Sequence, residues 1–268
     1  MAEASTNDAA FVGNIPLMYD DLLVPIFFEE PARSVAAVIA ALEPVSILET
    51  AAGTGALTRE LLSATPAHLT ATDLNAPMID AALRRTASER VTWDVADALD
   101  LRYPDASFDV VTCQFGAMFF PDRVRGYAEA RRVLKPGGSF VFTVWDTIEN
   151  NAISDVVTQA LRLEAGEVEL DFLVRTPYGH AQDDTLTSEL IEAGFTDVAL
   201  SRVDGVCITD ARDGAIAVCE GTPLRGEIER HPTMTLGRAV GLAATALRDR
   251  FGDGVFHAPM RWVEIVAR

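Results

Sequence analysis

The chain has 268 residues, 49% apolar and 23% charged, which suits one large α/β domain with additions and is ample for a buried core. Its formal net charge of -18 argues against a nucleic-acid backbone or an anionic membrane as the main partner, because both need a positive face. No apolar run approaches the roughly 20 residues that span a bilayer, and three scattered cysteines without a CxxC pair fit reduced thiols in a cytoplasmic protein.

In chain order, Met1–Asp8 lacks the basic start and apolar stretch of a signal peptide, which agrees with a cytosolic setting. Leu17–Phe28 is apolar and aromatic; it reads either as core packing or as a lid over a ligand cleft, and residues 1–30 are the expected N-terminal lid segment. A helix is predicted over Ala32–Leu42. Then Val45–Glu49, Leu69–Asp73, Val91–Val95, Phe108–Cys113 and Phe140–Trp145 read as strands, with helices Ala56–Ser63, Pro77–Ala87 and Arg123–Leu134 among them. This alternation implies βαβ units and a parallel sheet with right-handed crossovers, hence helices on both faces. Arg123, Arg125, Arg131 and Arg132 form a basic strip at near-helical spacing, read as a solvated helix face. Leu134–Gly138 ends that helix and launches the next strand, with no ligand required.

Beyond residue 146 the rhythm loosens. Ala152–Glu164, Asp184–Ala193, Arg212–Glu220 and Arg238–Arg250 carry helical spacing, whereas Thr196–Val203 and Met260–Ala267 read as strands. The last strand is therefore expected to follow a two-helix insertion. Arg238–Arg250 could pack within the chain or across a homo-oligomer.

Three motifs carry chemistry. The strand Val45–Glu49 runs into the turn Glu49-Thr-Ala-Ala-Gly53-Thr-Gly55 and then a helix, where glycines permit close ligand approach and free N–H groups face negative charge. Such turns serve several nucleotide cofactors. In the nicotinamide fingerprint GxGxxG/A the sixth position is small, and here it is Thr58. Asp73 closes the next strand, where an acid can accept bonds from two ribose hydroxyls; the plainer reading is an Asp that starts a turn or caps the helix near Pro77. Asp97, just past the third strand, can accept a bond from an adenine amino group beside the N–H of Ala98.

These motifs, in this order, resemble the class I S-adenosylmethionine (SAM)-dependent methyltransferases, specifically the branch similar to ubiquinone/menaquinone-biosynthesis enzymes. The resemblance rests on Glu49–Gly55, Asp73–Met78, Asp97–Val111 and Arg132–Gly138. Pro177–His180 and Cys219–Leu224 resemble uncharacterised bacterial members. The implied fold is Rossmann-like: a mostly parallel seven-stranded sheet, helices on both faces and an antiparallel C-terminal strand, in a single domain over 1–268. Residues 45–145 would be the SAM-binding core, and 147–183 and 210–256 helical insertions forming the acceptor pocket. The resemblance places Glu49 near the methionine amino group and lets the cofactor cross the turn at Gly53 and Gly55. It puts Asp73 on the ribose, Leu74 and Met78 against the adenine, and Asp97 and Ala98 at the adenine edge. Gln114 and Phe115 would floor the methionine site. Ala51 stands where the family's E/DxGxGxG pattern has its first glycine.

Methyl transfer from a sulfonium mainly demands positioning, and a base only where the acceptor must lose a proton. Of the four histidines, His180 falls in the variable region and is the best candidate base, although a hydrogen-bonded loop histidine is the simpler reading. Tyr19 could close over cofactor or acceptor, or pack in the core. Met118, Phe119 and Phe120 offer an apolar wall. No metal-ligand cluster is legible. The expected activity is methylation of a small, uncharged or aromatic acceptor, on O, C or N, yielding S-adenosylhomocysteine. Two other readings are a nicotinamide-dependent oxidoreductase and a SAM-binding module without transferase activity.

Overall fold

The computed structural model describes residues 19–166, 168 and 170–268; residues 1–18 of the expected N-terminal segment lie outside them. A segment of wide, π-type helical turns, α1 (Tyr19–Phe28), leads directly into α2 (Glu29–Ala40). The alternating part follows as β1 (Ser46–Glu49), α3 (Ala56–Ala64), β2 (His68–Asp73), α4 (Ala76–Arg85), β3 (Val91–Val95), β4 (Phe108–Gln114), α5 (Arg123–Val133) and β5 (Leu134–Trp145). The rest comprises α6 (Ala152–Ala165), α7 (Phe172–Arg175), α8 (Asp183–Glu192), β6 (Val198–Asp210), α9 (Ala211–Glu220), α10 (Leu224–Arg230), α11 (Leu236–Phe251) and β7 (Val255–Ala267).

The strands form one seven-stranded sheet in the order β3-β2-β1-β4-β5-β7-β6. Strands β3, β2, β1, β4 and β5 pair in parallel, and β7 runs antiparallel to both its neighbours. The expected mostly parallel sheet with a reversed C-terminal strand is what forms. Its central strands are apolar runs because helices cover both faces. On one face Val35, Ile39, Leu57 and Leu61 pack on Ile47, Leu69, Val110 and Val141. On the other, a larger core joins α1, α5 and the helices after β5 to Val111, Phe140, Phe142 and Trp262.

Polar starts set the helix boundaries. Asp122 caps α5 by accepting from the Arg125 N–H, and Asp210 caps α9 by accepting from Arg212 and Asp213 N–H, each at 2.9 Å.

Two expectations need correction. Three helices, not two, intervene between β6 and β7: α10 has only seven residues, and its buried pair Leu224 and Ile228 is too short a pattern to announce a helix. The β6–β7 hairpin also extends well past the predicted strands, to Asp210 and back from Val255. Gly205 and Pro259 disguise this extension as loop. The Val206 N–H, opposite Pro259, donates to Glu30 Oε2 on α2 at 2.9 Å. The basic strip of α5 is likewise more engaged than a solvated face, since Arg123 pairs with Glu189 and Arg132 with Glu129 and Asp105.

Candidate active site

Strand order reverses between β1 and β4, the position where open α/β sheets leave a crevice outside the carboxyl ends of their strands. Glu49, Asp73 and Gln114 end β1, β2 and β4, and Asp97 follows β3. All four acids or amides therefore gather at one sheet edge.

The turn after β1 uses the left-handed backbone region three times, at Ala51 (φ 52°), Gly53 (56°) and Gly55 (82°). Glycine adopts it freely, while alanine carries a steric cost of about 1–2 kcal/mol. Asp73 ties this turn to its own. Its Oδ2 accepts from the Gly53 N–H at 2.9 Å, and its Oδ1 accepts from the Asn75 N–H at 2.8 Å. The sequence alternatives for Asp73 thus coexist: it shapes two turns and also faces the cavity. Burial raises its pKa, opposed by those backbone bonds.

Glu49 is 1% exposed, and its Oε2 accepts from Thr58 Oγ1 at 2.6 Å. Burial pushes its pKa up to about 8 despite that bond. Thr58 has a positive structural role that its mismatch to a nicotinamide fingerprint did not suggest. Gly55 is required by packing, since a Cβ there would fall 2.7 Å from Trp93 Cη2.

A cavity of about 190 Å³ opens over this edge. One end is lined by Ala51, Gly53, Asp73, Leu74, Met78, Asp97 and Ala98, and Gln114 and Phe115 lie on its wall. Met78 is buried and Leu74 half exposed. The exposed Asp97 accepts from the Leu99 N–H at 2.9 Å through Oδ1. Phe115 has a φ of 53° and stacks on Trp145, with centroids 3.8 Å apart. Close packing of the β1 and β4 turns needs Gly116, where a Cβ would lie 2.4 Å from Ala51 Cβ.

Segment α1 packs along this cavity with Tyr19, Leu23, Phe27 and Phe28 on its wall, while Val24 and Ile26 are buried. Tyr19 stacks on Phe28 at 5.0 Å and passes close to Gly53; burial and then the Asp73 charge raise its pKa. Gln114 Nε2 donates to the Phe28 carbonyl at 3.0 Å, and the buried Asp20 pairs with Arg85 and, at 3.7 Å, Arg59.

The far end of the cavity is apolar and aromatic, with Phe119, Trp145, Phe172, Leu173 and Tyr178 among its walls. Of these only Phe119 was singled out beforehand. Trp145 ends β5, whereas Phe172, Leu173 and Tyr178 come from α7 and the loop after it, which bond to Ser154 on α6 and Glu227 on α10. His180 is outside the cavity lining. Its Nε2 lies 3.2 Å from Glu189 Oε2 at the junction of α5 and α8. Burial opposes ionisation of Glu189, but bonds from His180 and Arg123 hold its pKa down at about 2. Met118 packs in the core rather than on the cavity wall.

The residues present fit an adenosyl sulfonium. Asp73 and Asp97 line the cavity from the ends of the adjacent strands β2 and β3, the left-handed turn leaves Gly53 bare of side chain, and the buried carboxyl of Glu49 ends β1. No helix among the described residues is long and apolar enough to cross a membrane.

Comparison with known proteins gives a consistent result. Residues 48–142 match a family model described as "Methyltransferase domain". A demethylmenaquinone methyltransferase of Deinococcus radiodurans is 40% identical over 112 residues, covering 41% of this chain and 46% of the relative. Another, of Clavibacter sepedonicus, is 34% identical over 164 residues, covering 57% and 66%. The chain therefore spans about half to two thirds of the length of these curated relatives. A phosphoethanolamine N-methyltransferase 2 of Haemonchus contortus, solved with phosphomonomethylethanolamine and S-adenosylhomocysteine, superposes with a TM-score of 0.61 at 17% identity. That superposition covers 100% of this chain and 60% of the other, and it shows a shared fold.

Proposed function

Since this chain belongs to the class I SAM-dependent methyltransferases, we propose that it transfers a methyl group from SAM to a small, largely apolar ring compound. The observation that carries the reading is the single cavity running from Asp73 and Asp97 past Gly53 and Phe115 to an aromatic-walled chamber. The two relatives are named for a demethylmenaquinone acceptor, and a quinone-type ring suits walls of this kind.

SAM supplies an activated methyl on a sulfonium. In this reading Asp73 holds the ribose hydroxyls, Asp97 and Ala98 the adenine edge, and Leu74 and Met78 the adenine faces. Glu49 lies beneath the methionine end, with Gln114 and Phe115 as its floor. Segment α1 acts as a lid and excludes water, leaving little for the acceptor to do but meet the methyl in line. Among the described residues lining the cavity the ionisable side chains are Tyr19, Asp73, Asp97 and Tyr178. Neither tyrosine is poised as a base, because burial raises both pKa values. Acceptors that carry their own nucleophilic electron density, such as an electron-rich ring carbon, are favoured. Three buried free cysteines agree with a reducing, cytosolic setting.

The test is calorimetry with SAM, S-adenosylhomocysteine and NAD, followed by methyl-labelled SAM with a panel of ring acceptors. Binding of the SAM pair and label transfer to ring compounds are expected. Tight NAD binding without a response to the SAM pair would overturn the assignment.

A further inference from the structure

We propose that the hydroxyl pair Ser154–Tyr178 selects the methyl acceptor, by donating one hydrogen bond to an oxygen on an otherwise apolar ring; this rests on the reading of the cavity given above. Ser154 Oγ and Tyr178 Oη are 2.8 Å apart. Both residues line the cavity, and they are 3% and 7% exposed. Each hydroxyl carries one proton to donate. The contact between them uses one of the two, and no other protein acceptor takes the second among the described residues. A buried donor left without an acceptor is unfavourable, so a ligand atom that accepts it is preferred.

A ligand that accepts selects the direction of the chain. Either hydroxyl can donate within the pair; a ligand oxygen favours the arrangement in which Ser154 donates to Tyr178 Oη, because that leaves the phenol, the stronger donor, to donate onward. Serial bonds of this kind strengthen one another. Burial raises the Tyr178 pKa, which keeps its proton in place across the working range. The neighbouring polar groups are already committed: Thr222 Oγ1 donates to the Val218 carbonyl at 2.8 Å, and Gln114 to Phe28. The turn that presents Tyr178 is built for it. The Tyr178 N–H donates to the Leu173 carbonyl at 3.0 Å, and a Cβ on Gly179 would fall 2.3 Å from the Arg175 carbonyl oxygen. Tyr178 then packs on Trp145 at 6.0 Å, and Trp145 stacks on Phe115. The pair therefore sits one aromatic layer beyond the proposed methionine floor, where an acceptor ring would lie.

The full chain, saturated with S-adenosylhomocysteine, is titrated with 1-tetralone and with tetralin, fused rings that differ by one carbonyl oxygen. The wild type should bind 1-tetralone about five- to tenfold tighter, the effect of one hydrogen bond. Tyr178→Phe should bring the two affinities within about twofold while leaving tetralin unchanged. Equal affinities in the wild type, no binding of either probe, or an undiminished preference in Tyr178→Phe overturns the proposal. Should Tyr178→Phe fold poorly and lose tetralin as well, Ser154→Ala decides. It should narrow the preference about two- to threefold, and an unchanged preference overturns the pair. Failure of S-adenosylhomocysteine to bind the wild type is measured first, and it counts against the proposed function instead.

Discussion

Ala51 sits at a φ of 52°, where glycine would be unstrained. Ala51→Gly should therefore stabilise the chain by about 0.5–1 kcal/mol, the relief of strain outweighing the extra freedom of the unfolded chain; a urea midpoint that moves down would contradict this. Asp73 is the residue whose removal should harm cofactor binding most. Asp73→Ala is expected to weaken SAM binding by about 1–3 kcal/mol through lost charge-assisted bonds, read by calorimetry on a variant with native circular dichroism. Glu49 makes a pH prediction. Its pKa rises from 4.5 unfolded to about 8 folded, so the stability of its uncharged form is complete below pH 4.5 and is lost as pH climbs through 8. At pH 7 the empty site holds the proton, and a bound cation favours ionisation. Binding of SAM at pH 7 should release close to one proton, seen as a calorimetric heat that varies with the buffer's ionisation enthalpy. The release should vanish above about pH 9 and in Glu49→Gln; heats independent of buffer at pH 7 would sink this account.

At the scale of elements, α1 is held by Asp20 and Asp21 against Arg85 on α4, with Arg59 on α3 nearby. The Arg85 side chain is 50% exposed, so screening limits the value of the clamp. Arg85→Ala should cost about 0.5–1 kcal/mol in urea unfolding and raise the SAM dissociation rate, if α1 acts as the proposed lid. A variant with wild-type dissociation kinetics would remove α1 from any gating role. The ends of β1 and β2, carrying Glu49 and Asp73, were legible because short apolar runs form buried strands that polar residues end abruptly, and edge strand β3 before Asp97 because its Val and Trp residues alternate with polar ones. The far hairpin was not, since Gly205 and Pro259 mimic a loop and its ordering comes from pairing across to β7 and from Glu30. Helix α10 escaped for the same reason, being too short to hold a pattern without its neighbours.

For the whole molecule, one sheet and two flanking cores predict a single cooperative unit. Tryptophan fluorescence and far-ultraviolet circular dichroism should report one coincident thermal transition. S-adenosylhomocysteine at 100 times its dissociation constant should stabilise it by about 2.7 kcal/mol; two separated transitions would mean that the helices after β5 fold apart from the sheet. By itself the sequence determined the sheet class, the order of its first five strands along the chain and, Glu49 and Gly55 apart, a set of expected cofactor residues that line the crevice. Those features depend on local periodicity and on turns that only certain residues tolerate. Tertiary structure alone decided that His180 belongs to an ion-paired helix junction, that Thr58 serves Glu49, and that Ser154 and Tyr178 meet across 24 positions. Side chains distant in sequence come within 3 Å only once the helices have packed, and no local pattern encodes which of them will share a cavity wall. The glycine turn, Asp73 and the Asp97 block together mark the cofactor family in one dimension, whereas the aromatic chamber proposed for the acceptor takes shape only in three.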